Sequence, residues 1–338
     1  MTNNPQVQLK KKDFMTDQLV RWCPGCGDYA ILSQVQTVMA ELGKPKEQYV
    51  VIAGIGCSSR FPYYTDTYGF HTIHGRAPAF VSGLKATRPD LSVWMVTGDG
   101  DGLSIGGNHL IHIWRRNIDV NIMLFNNRVY GLTKGQYSPT SQQGMRTKSS
   151  PMGSIDAPFN PILLALGAGS AWVARSVDVF TKHLRSVLHA ADANRGASFV
   201  EIYQNCVIFN DKPFGDITDK QHRGEKVLYL ENGEPLVWGK DGNRHGLKLN
   251  GFELEVVDAN TDEEIAACVV HDTGNLILAQ LLAQLDGSGA FPLPVGVFYN
   301  KPRPTYDSQF NAQVAESRKK LGQGDIEKLM NAGDTWTV

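Results

Sequence analysis

Leu91-Ser92-Val93-Trp94-Met95-Val96-Thr97 is a short apolar run that stops at Gly98-Asp99-Gly100-Asp101. A run of that length, closed by turn residues, reads as a strand buried on both faces of a parallel sheet. Two more runs repeat the pattern. Tyr49 to Ile55 leads into Gly56-Cys57, and Val120 to Phe125 leads into Asn126-Asn127. Ligands bind outside the carboxyl ends of the strands in an open parallel sheet. Residues suited to a metal, a diphosphate or a cluster that collect there carry more weight than the same residues scattered through helices. The arrangement points to a cofactor enzyme.

Outward from these runs, helices and strands alternate. The spacing of Tyr29, Ile31, Leu32, Val35, Val38, Met39 and Leu42 predicts a helix from Asp28 to about Gly43. Ala77 to Ala86 reads as a helix closed by Pro89, and Ser104 to Arg116 as an amphipathic one. After a loop from Arg128 to Pro158 the pattern continues with helix Pro161 to Leu166, strand Ala171 to Ala174, helix Val179 to Ala193 and strand Ser198 to Tyr203. About five parallel strands are expected, an α/β fold with helices on both faces. Beyond Phe214 the composition shifts toward Gly, Asn, Lys and Glu. Short runs such as Val227 to Leu230 and Leu247 to Val257 suggest hairpins. A helix at Leu276 to Leu285, a strand at Val295 to Tyr299 and a weak helix near Val314 to Leu321 follow. The predicted division is a binding domain over 1–214 and a peripheral extension over 215–338.

The chain has 338 residues, 42% of them hydrophobic, enough for one large domain with additional structure. Its 33 lysines and arginines balance 34 acidic residues, which gives no electrostatic case for nucleic acid or an anionic membrane surface. Lys10-Lys11-Lys12 reads as a solvated terminus. Met1 to Phe14 is polar without an apolar h-region, and the longest apolar stretch, Ile162 to Ala174, is short and interrupted by glycines. A soluble, cytoplasmic protein is expected. Five cysteines are too few for a disulfide scaffold.

Asp99 and Asn127 lie just past neighbouring strands with one helix between them, so both side chains can reach one point above the sheet. A carboxylate and an amide oxygen are hard ligands suited to Mg²⁺ or Ca²⁺. Gly98, Gly100, Gly102, Gly106 and Gly107 would let backbone N–H groups approach a phosphate. Either motif alone could be a tight turn or a capping signal; the pair at adjacent strand ends favours a site. Cys23-Pro24-Gly25-Cys26, Cys57 and Cys206 form a second constellation, two of its members on the same sheet edge. Four thiolates can hold structural zinc or an iron–sulfur cluster, and Cys-x-x-Cys alone can be a redox disulfide. Placement beside the first site favours an electron acceptor. Cys268 reads as an ordinary buried thiol.

Gly98-Asp99-Gly100 followed by Asn126-Asn127 resembles the diphosphate motif of thiamine diphosphate enzymes. With Trp22 to Gly27, Gly54 to Ser58, His74-Gly75-Arg76-Ala77 and Tyr130 to Gln136, the chain resembles the β subunit of a 2-oxoacid:ferredoxin oxidoreductase, and Ser104 to His109 looks most like the 2-oxoglutarate branch. The resemblance implies a thiamine diphosphate-binding fold with Asp99, Asn127 and the Val129 carbonyl on Mg²⁺. It also implies a 4Fe-4S cluster on Cys23, Cys26, Cys57 and Cys206. Ile55, Gly56, Cys57, Ser58, His74, Gly100, Asp101, Gly131 and Leu132 would line the thiamine diphosphate site. The implied activity is coenzyme A-dependent oxidative decarboxylation of a 2-oxoacid, with electrons passing to ferredoxin, and CO₂ fixation in reverse.

Such chemistry normally needs a glutamate to hold the proton on the aminopyrimidine ring. Glu41 and Glu47 lie on or just after the first helix, and Glu201 is inside a strand. A partner α subunit is therefore expected to supply the pyrimidine-binding domain and this glutamate, leaving the chain inactive alone. His109 and His112, at i, i+3, read as packed or surface residues rather than a metal pair. His74 is expected to meet cofactor phosphate. Arg128 and Lys134 are candidates for an anionic substrate or coenzyme A, against simple surface solvation. The competing readings are pyruvate or a branched-chain 2-oxoacid as substrate, a non-redox thiamine enzyme with structural zinc, and an iron–sulfur electron-transfer or zinc-stabilised assembly module.

Overall fold

The structure, a computed structural model, describes residues 8–336. Of the polar start read from Met1 to Phe14, residues 1–7 lie outside the described residues. Lys11 is more than solvated: its Nζ donates to Ser33 Oγ at 2.7 Å and ties the start of the chain to the first helix.

The chain runs through α1 (Asp28–Glu41), β1 (Tyr49–Ala53), α2 (Phe61–Tyr64), β2 (Tyr68–His71), α3 (Ala77–Thr87), β3 (Ser92–Gly98), α4 (Gly107–Arg116) and β4 (Val120–Asn126). After the long loop come α5 (Pro161–Gly167), β5 (Trp172–Val177), α6 (Thr181–Ala193) and β6 (Ala197–Tyr203). The rest comprises α7 (Gly215–Thr218), α8 (Arg223–Lys226), β7 (Val227–Leu230), β8 (Val237–Lys240), β9 (Asn243–Asn250), β10 (Glu253–Asp258), α9 (Asp262–Ala266), α10 (Leu276–Ala283), β11 (Leu293–Asn300), α11 (Tyr306–Leu321) and α12 (Ile326–Met330).

Eight strands form one sheet in the order β2-β1-β3-β4-β6-β5-β11-β7. The first six are mutually parallel. Both faces are covered, which is why the strands read as unbroken apolar runs. Val50, Ile52, Val93 and Met95 pack under α3 and α4, with α5 and α10 continuing that layer. Tyr49, Val51, Ala53, Trp94 and Val96 point the other way, against α1 and α6. Between β1 and β3 the connections diverge, since the chain leaves β1 for β2 on one side and returns as β3 on the other. Such a switch point opens a crevice at the strand ends.

Two expectations need correction. The stretch after Phe214 is not wholly peripheral: β11 pairs antiparallel with β5 and β7 parallel with β11, so both belong to the main sheet. Val227, Leu228, Leu293, Val295 and Phe298 are buried there. The hairpin expectation holds for β8, β9 and β10, a separate antiparallel sheet. Second, the mutually parallel strands number six rather than about five: β2, parallel to β1, escapes periodicity because all four of its residues are exposed. The helix expected near Val314 begins earlier, at Tyr306, with the Thr305 side chain accepting from Ser308 N.

Candidate active site at the strand ends

One cleft at the carboxyl ends of β1, β3 and β4 is lined by Ile55, Gly56, Cys57, Ser58, His74, Asp99, Gly100, Asp101, Asn127, Val129, Gly131 and Leu132. Every residue expected at the thiamine diphosphate and Mg²⁺ sites is thus brought to one place. The segment after Gly100 starts as a π turn, Asp101–Ile105, before α4 begins at Gly107. The tight turn is possible because Gly75 and Gly106 touch: a Cβ on Gly75, whose φ is +71°, would lie 2.5 Å from Gly106 N.

Asp101 ties this floor together. Its Oδ1 accepts from Ile55 N at 3.0 Å and Gly75 N at 2.8 Å and meets His74 Nδ1 at 2.5 Å, while Oδ2 accepts from Thr97 Oγ1 at 2.6 Å. One carboxylate therefore fixes the β1 end, the His74 turn and the β3 end relative to one another. Asp99 is 2% exposed. Its Oδ2 accepts from Ser138 Oγ at 2.5 Å and Thr140 Oγ1 at 2.6 Å. Burial still pushes its pKa up to about 6, so its ionised form gains from a cation alongside.

Behind Asp99 the network continues inward. Thr140 Oγ1 also lies 2.9 Å from Asn126 Oδ1, Asn126 Nδ2 donates to Glu201 Oε1 at 2.8 Å, and Arg175 Nε donates to Glu201 Oε2 at 2.7 Å. Arg175 and Glu201 are both buried. Asn127 Nδ2 donates to Gln204 Oε1 at 2.8 Å and its Oδ1 accepts from Val129 N at 3.1 Å.

The cysteines adjoin this cleft. A Cβ added to Gly131 would lie 3.5 Å from Cys57 Sγ and 3.7 Å from Cys206 Sγ, so a cleft-lining residue also abuts two of the thiols. Gln204 Nε2 donates to Cys26 Sγ at 3.3 Å. Burial, then Asp28, pushes the Cys57 thiol up to about 12, with Cys206 and Cys23 adding to the effect. Cys26 is raised as well, by burial first and then by Asp28, Cys206 and Cys57. Asp28 is buried with neither carboxylate oxygen hydrogen-bonded. Among the described residues, no three His, Cys, Asp or Glu side chains close on one ion-sized point. Cys268 is buried and apart from the others, as expected.

Residues 40–202 match the family of thiamine pyrophosphate enzymes, C-terminal TPP binding domain. The 2-oxoglutarate oxidoreductase subunit KorB of Mycobacterium tuberculosis is 52% identical over 341 residues, covering 100% of this chain and 90% of that one. The 2-oxoacid:ferredoxin oxidoreductase 1 subunit beta of Aeropyrum pernix is 44% identical over 88% of this chain and 83% of its own length. The chain belongs to the family of 2-oxoacid:ferredoxin oxidoreductase β subunits. A solved structure agrees: the 2-oxoglutarate:ferredoxin oxidoreductase from Magnetococcus marinus, with 2-oxoglutarate, coenzyme A and succinyl-CoA bound, superposes with a TM-score of 0.76 at 33% identity, covering 98% of both chains. This β subunit is thus part of an oxidoreductase and carries a thiamine pyrophosphate-binding domain. Among its described residues no helix is long and apolar enough to cross a membrane.

Sequence reasoning missed several residues of the β subunit's site. Ser138 and Thr140 arrive from the long loop, whose path no periodicity reveals. Gln204 sits one residue past β6, so the strand-end rule that selected Asp99 and Asn127 could have found it. A second cavity shares Ile55, Gly56 and Leu132 with the cleft and adds Arg21, Arg60, Tyr63 and His71. Arg60 lies three residues after Cys57, but nothing in the sequence says that it faces this cavity. No glutamate lines the cleft among the described residues, and both oxygens of Glu201 are engaged by Asn126 and Arg175. Arg128 does not stand free in solvent: its guanidinium lies over the rings of Phe214 and Tyr203, 4.6 and 5.7 Å from their centroids. His109 and His112 each have a buried, unpartnered Nδ1, the pattern of packed side chains.

Proposed function

We propose that this chain is the β subunit of a 2-oxoglutarate:ferredoxin oxidoreductase, converting 2-oxoglutarate and coenzyme A to succinyl-CoA and CO₂ with ferredoxin as electron acceptor, reversibly. The observation that carries the reading is the seam at Gly131, where one residue lines the thiamine diphosphate cleft and abuts the sulfurs of Cys57 and Cys206. A carbon centre and an electron acceptor held that close suit oxidative decarboxylation.

The residues fit the implied groups. Asp99, Asn127 and the Val129 carbonyl would hold Mg²⁺, with the partnered Asp99 oxygen fixed in direction by Ser138 and Thr140. Asp101 holds Ile55, His74 and Gly75 around the cofactor. Cys23, Cys26, Cys57 and Cys206 would hold a 4Fe-4S cluster, whose positive irons favour the thiolate forms that burial and Asp28 oppose. Thiamine diphosphate, when bound, supplies the electron sink for decarboxylation. The chain's own part is to orient that group and keep the cluster at its side.

Arg21 and Arg60, in the cavity that opens from the cleft, favour a dicarboxylate over pyruvate, because a distal carboxylate needs a cation. With no glutamate lining the cleft among the described residues, the α subunit supplies the acid–base group for the pyrimidine ring. The test is iron and acid-labile sulfide on anaerobically purified protein, followed by a 2-oxoacid panel on the assembled complex. About four iron and four sulfide per chain are expected, with 2-oxoglutarate preferred. Zinc in place of iron, or turnover by the isolated chain, would sink the reading.

A further inference from the structure

We propose that Gln204 is a positioning residue that joins the two cofactor sites, its amide carbonyl orienting Asn127 toward the metal while its amide N–H tunes Cys26 in the cluster. The inference rests on the proposed roles of those two ligands.

Gln204 is 1% exposed and is held at the end of β6 by its backbone N–H, which donates to Asn126 O at 3.0 Å. Its side chain is fully used. Oε1 accepts from Asn127 Nδ2 at 2.8 Å, while Nε2 donates to Asn205 O at 2.5 Å and to Cys26 Sγ at 3.3 Å. An amide has two N–H donors and one carbonyl. Turning this one over would set its oxygen against the Asn205 carbonyl and its N–H against that of Asn127, so the surroundings permit one orientation.

Each end has a consequence. At Asn127, Gln204 holds Nδ2 as the donor end, while the oxygen, the hard ligand, accepts from Val129 N and keeps a second lone pair for Mg²⁺. At Cys26, an N–H donated to a cluster sulfur stabilises the more negative, reduced state and raises the reduction potential. A purely apolar side chain of similar volume could fill the space but perform neither task.

Two variants of the full complex separate the ends. Gln204→Met removes both hydrogen bonds. Gln204→Glu, with its second oxygen protonated to donate to Asn205 O, keeps an acceptor for Asn127 and loses the N–H facing Cys26. The readouts are the cluster's midpoint potential, from reductive titration followed by electron paramagnetic resonance, and the Mg²⁺ concentration that half-saturates thiamine diphosphate binding. Both variants are expected to lower the midpoint potential at full iron content. Gln204→Met should also raise the Mg²⁺ requirement about tenfold, whereas Gln204→Glu should leave it near the native value. An unchanged potential in both variants overturns the Cys26 limb, and an unchanged Mg²⁺ requirement in Gln204→Met overturns the Asn127 limb. Should Gln204→Met lose its iron, Gln204→Glu carries the potential measurement. A native complex without iron would instead defeat the functional reading on which the proposal stands.

Discussion

The Asp99 corner and the cysteine corner meet at Gly131, yet they are built on opposite plans. Around Asp99 the protein answers its own polar groups: Ser138 and Thr140 bond Asp99, four separate groups surround Asp101, and Asn126 and Asn127 each have a side-chain partner. Around Cys26 it does so only at the sulfur, where Gln204 Nε2 donates at 3.3 Å. Asp28 is buried without a hydrogen bond, and the Cys26 and Cys57 thiols are pushed up by burial and by that carboxylate. A hard-cation site can be set in advance by hydrogen bonds to oxygen ligands, whereas buried thiolates depend on the positive charge they ligate. The first corner should therefore keep its shape when its neighbour is damaged.

The largest effects are expected from removing one proposed ligand at each corner. Asp99→Ala should weaken Mg²⁺-dependent thiamine diphosphate binding about a hundredfold and leave iron content unchanged, as read by calorimetry and metal analysis on the same sample. Cys206→Ser should strip most of the iron and leave thiamine diphosphate affinity close to native. Joint loss of both groups in either variant would break the comparison, because it would make the corners one cooperative site.

A milder lever is pH. Burial holds the Asp99 pKa at about 6, above the ordinary carboxylate range. If Asp99 is a Mg²⁺ ligand as proposed, proton and metal compete for the same oxygens, and Mg²⁺ affinity should hold above that value and fall about tenfold per unit below it. Titrating Mg²⁺ at several pH values checks this. A flat profile between pH 5 and pH 7, about one unit to either side, would mean that Asp99 is not the ligand that matters.

Next in size is the buried pair behind Asn126. Glu201→Gln or Arg175→Met leaves one charge uncompensated inside the sheet and should cost about 3–5 kcal/mol of stability, measured by denaturant unfolding of the apo chain. The double replacement should recover much of that. Because Glu201 Oε1 bonds Asn126 and Asn126 bonds Thr140, the single variants should also raise the Mg²⁺ requirement and spare the cluster.

Much of this was legible in the sequence, for a physical reason. Asp99, Asn127, Val129, Cys57 and Cys206 all follow buried strands, and an open parallel sheet delivers strand ends to one edge whatever the loops do. Ser138 and Thr140 were not legible because they reach Asp99 from a long loop whose course depends on tertiary contacts. Glu201 read as a position inside a strand and Arg175 fell one residue past the predicted strand Ala171 to Ala174, since a buried ion pair between adjacent strands leaves no periodic trace. The main-sheet membership of β7 and β11 was hidden differently: both runs were visible, but their partners lie far away in sequence, and the hairpin sheet between them set the local composition.

The smallest expected effect falls on the seam. A methyl group at Gly131 would sit 3.5 and 3.7 Å from the Cys57 and Cys206 sulfurs, ordinary van der Waals contact. Gly131→Ala should therefore change stability by less than about 1 kcal/mol and let both groups load. Gly54→Ala is the contrast, since its methyl would lie 1.8 Å from Asp101 Oδ2 and must dislodge the carboxylate that organises the cleft floor. Comparing the two variants by thermal unfolding and thiamine diphosphate affinity asks whether the corners merely touch or share their shape. If Gly131→Ala proves as damaging as Gly54→Ala, the seam is itself a packed element of the site, and the independence of the two corners fails at the point where they meet.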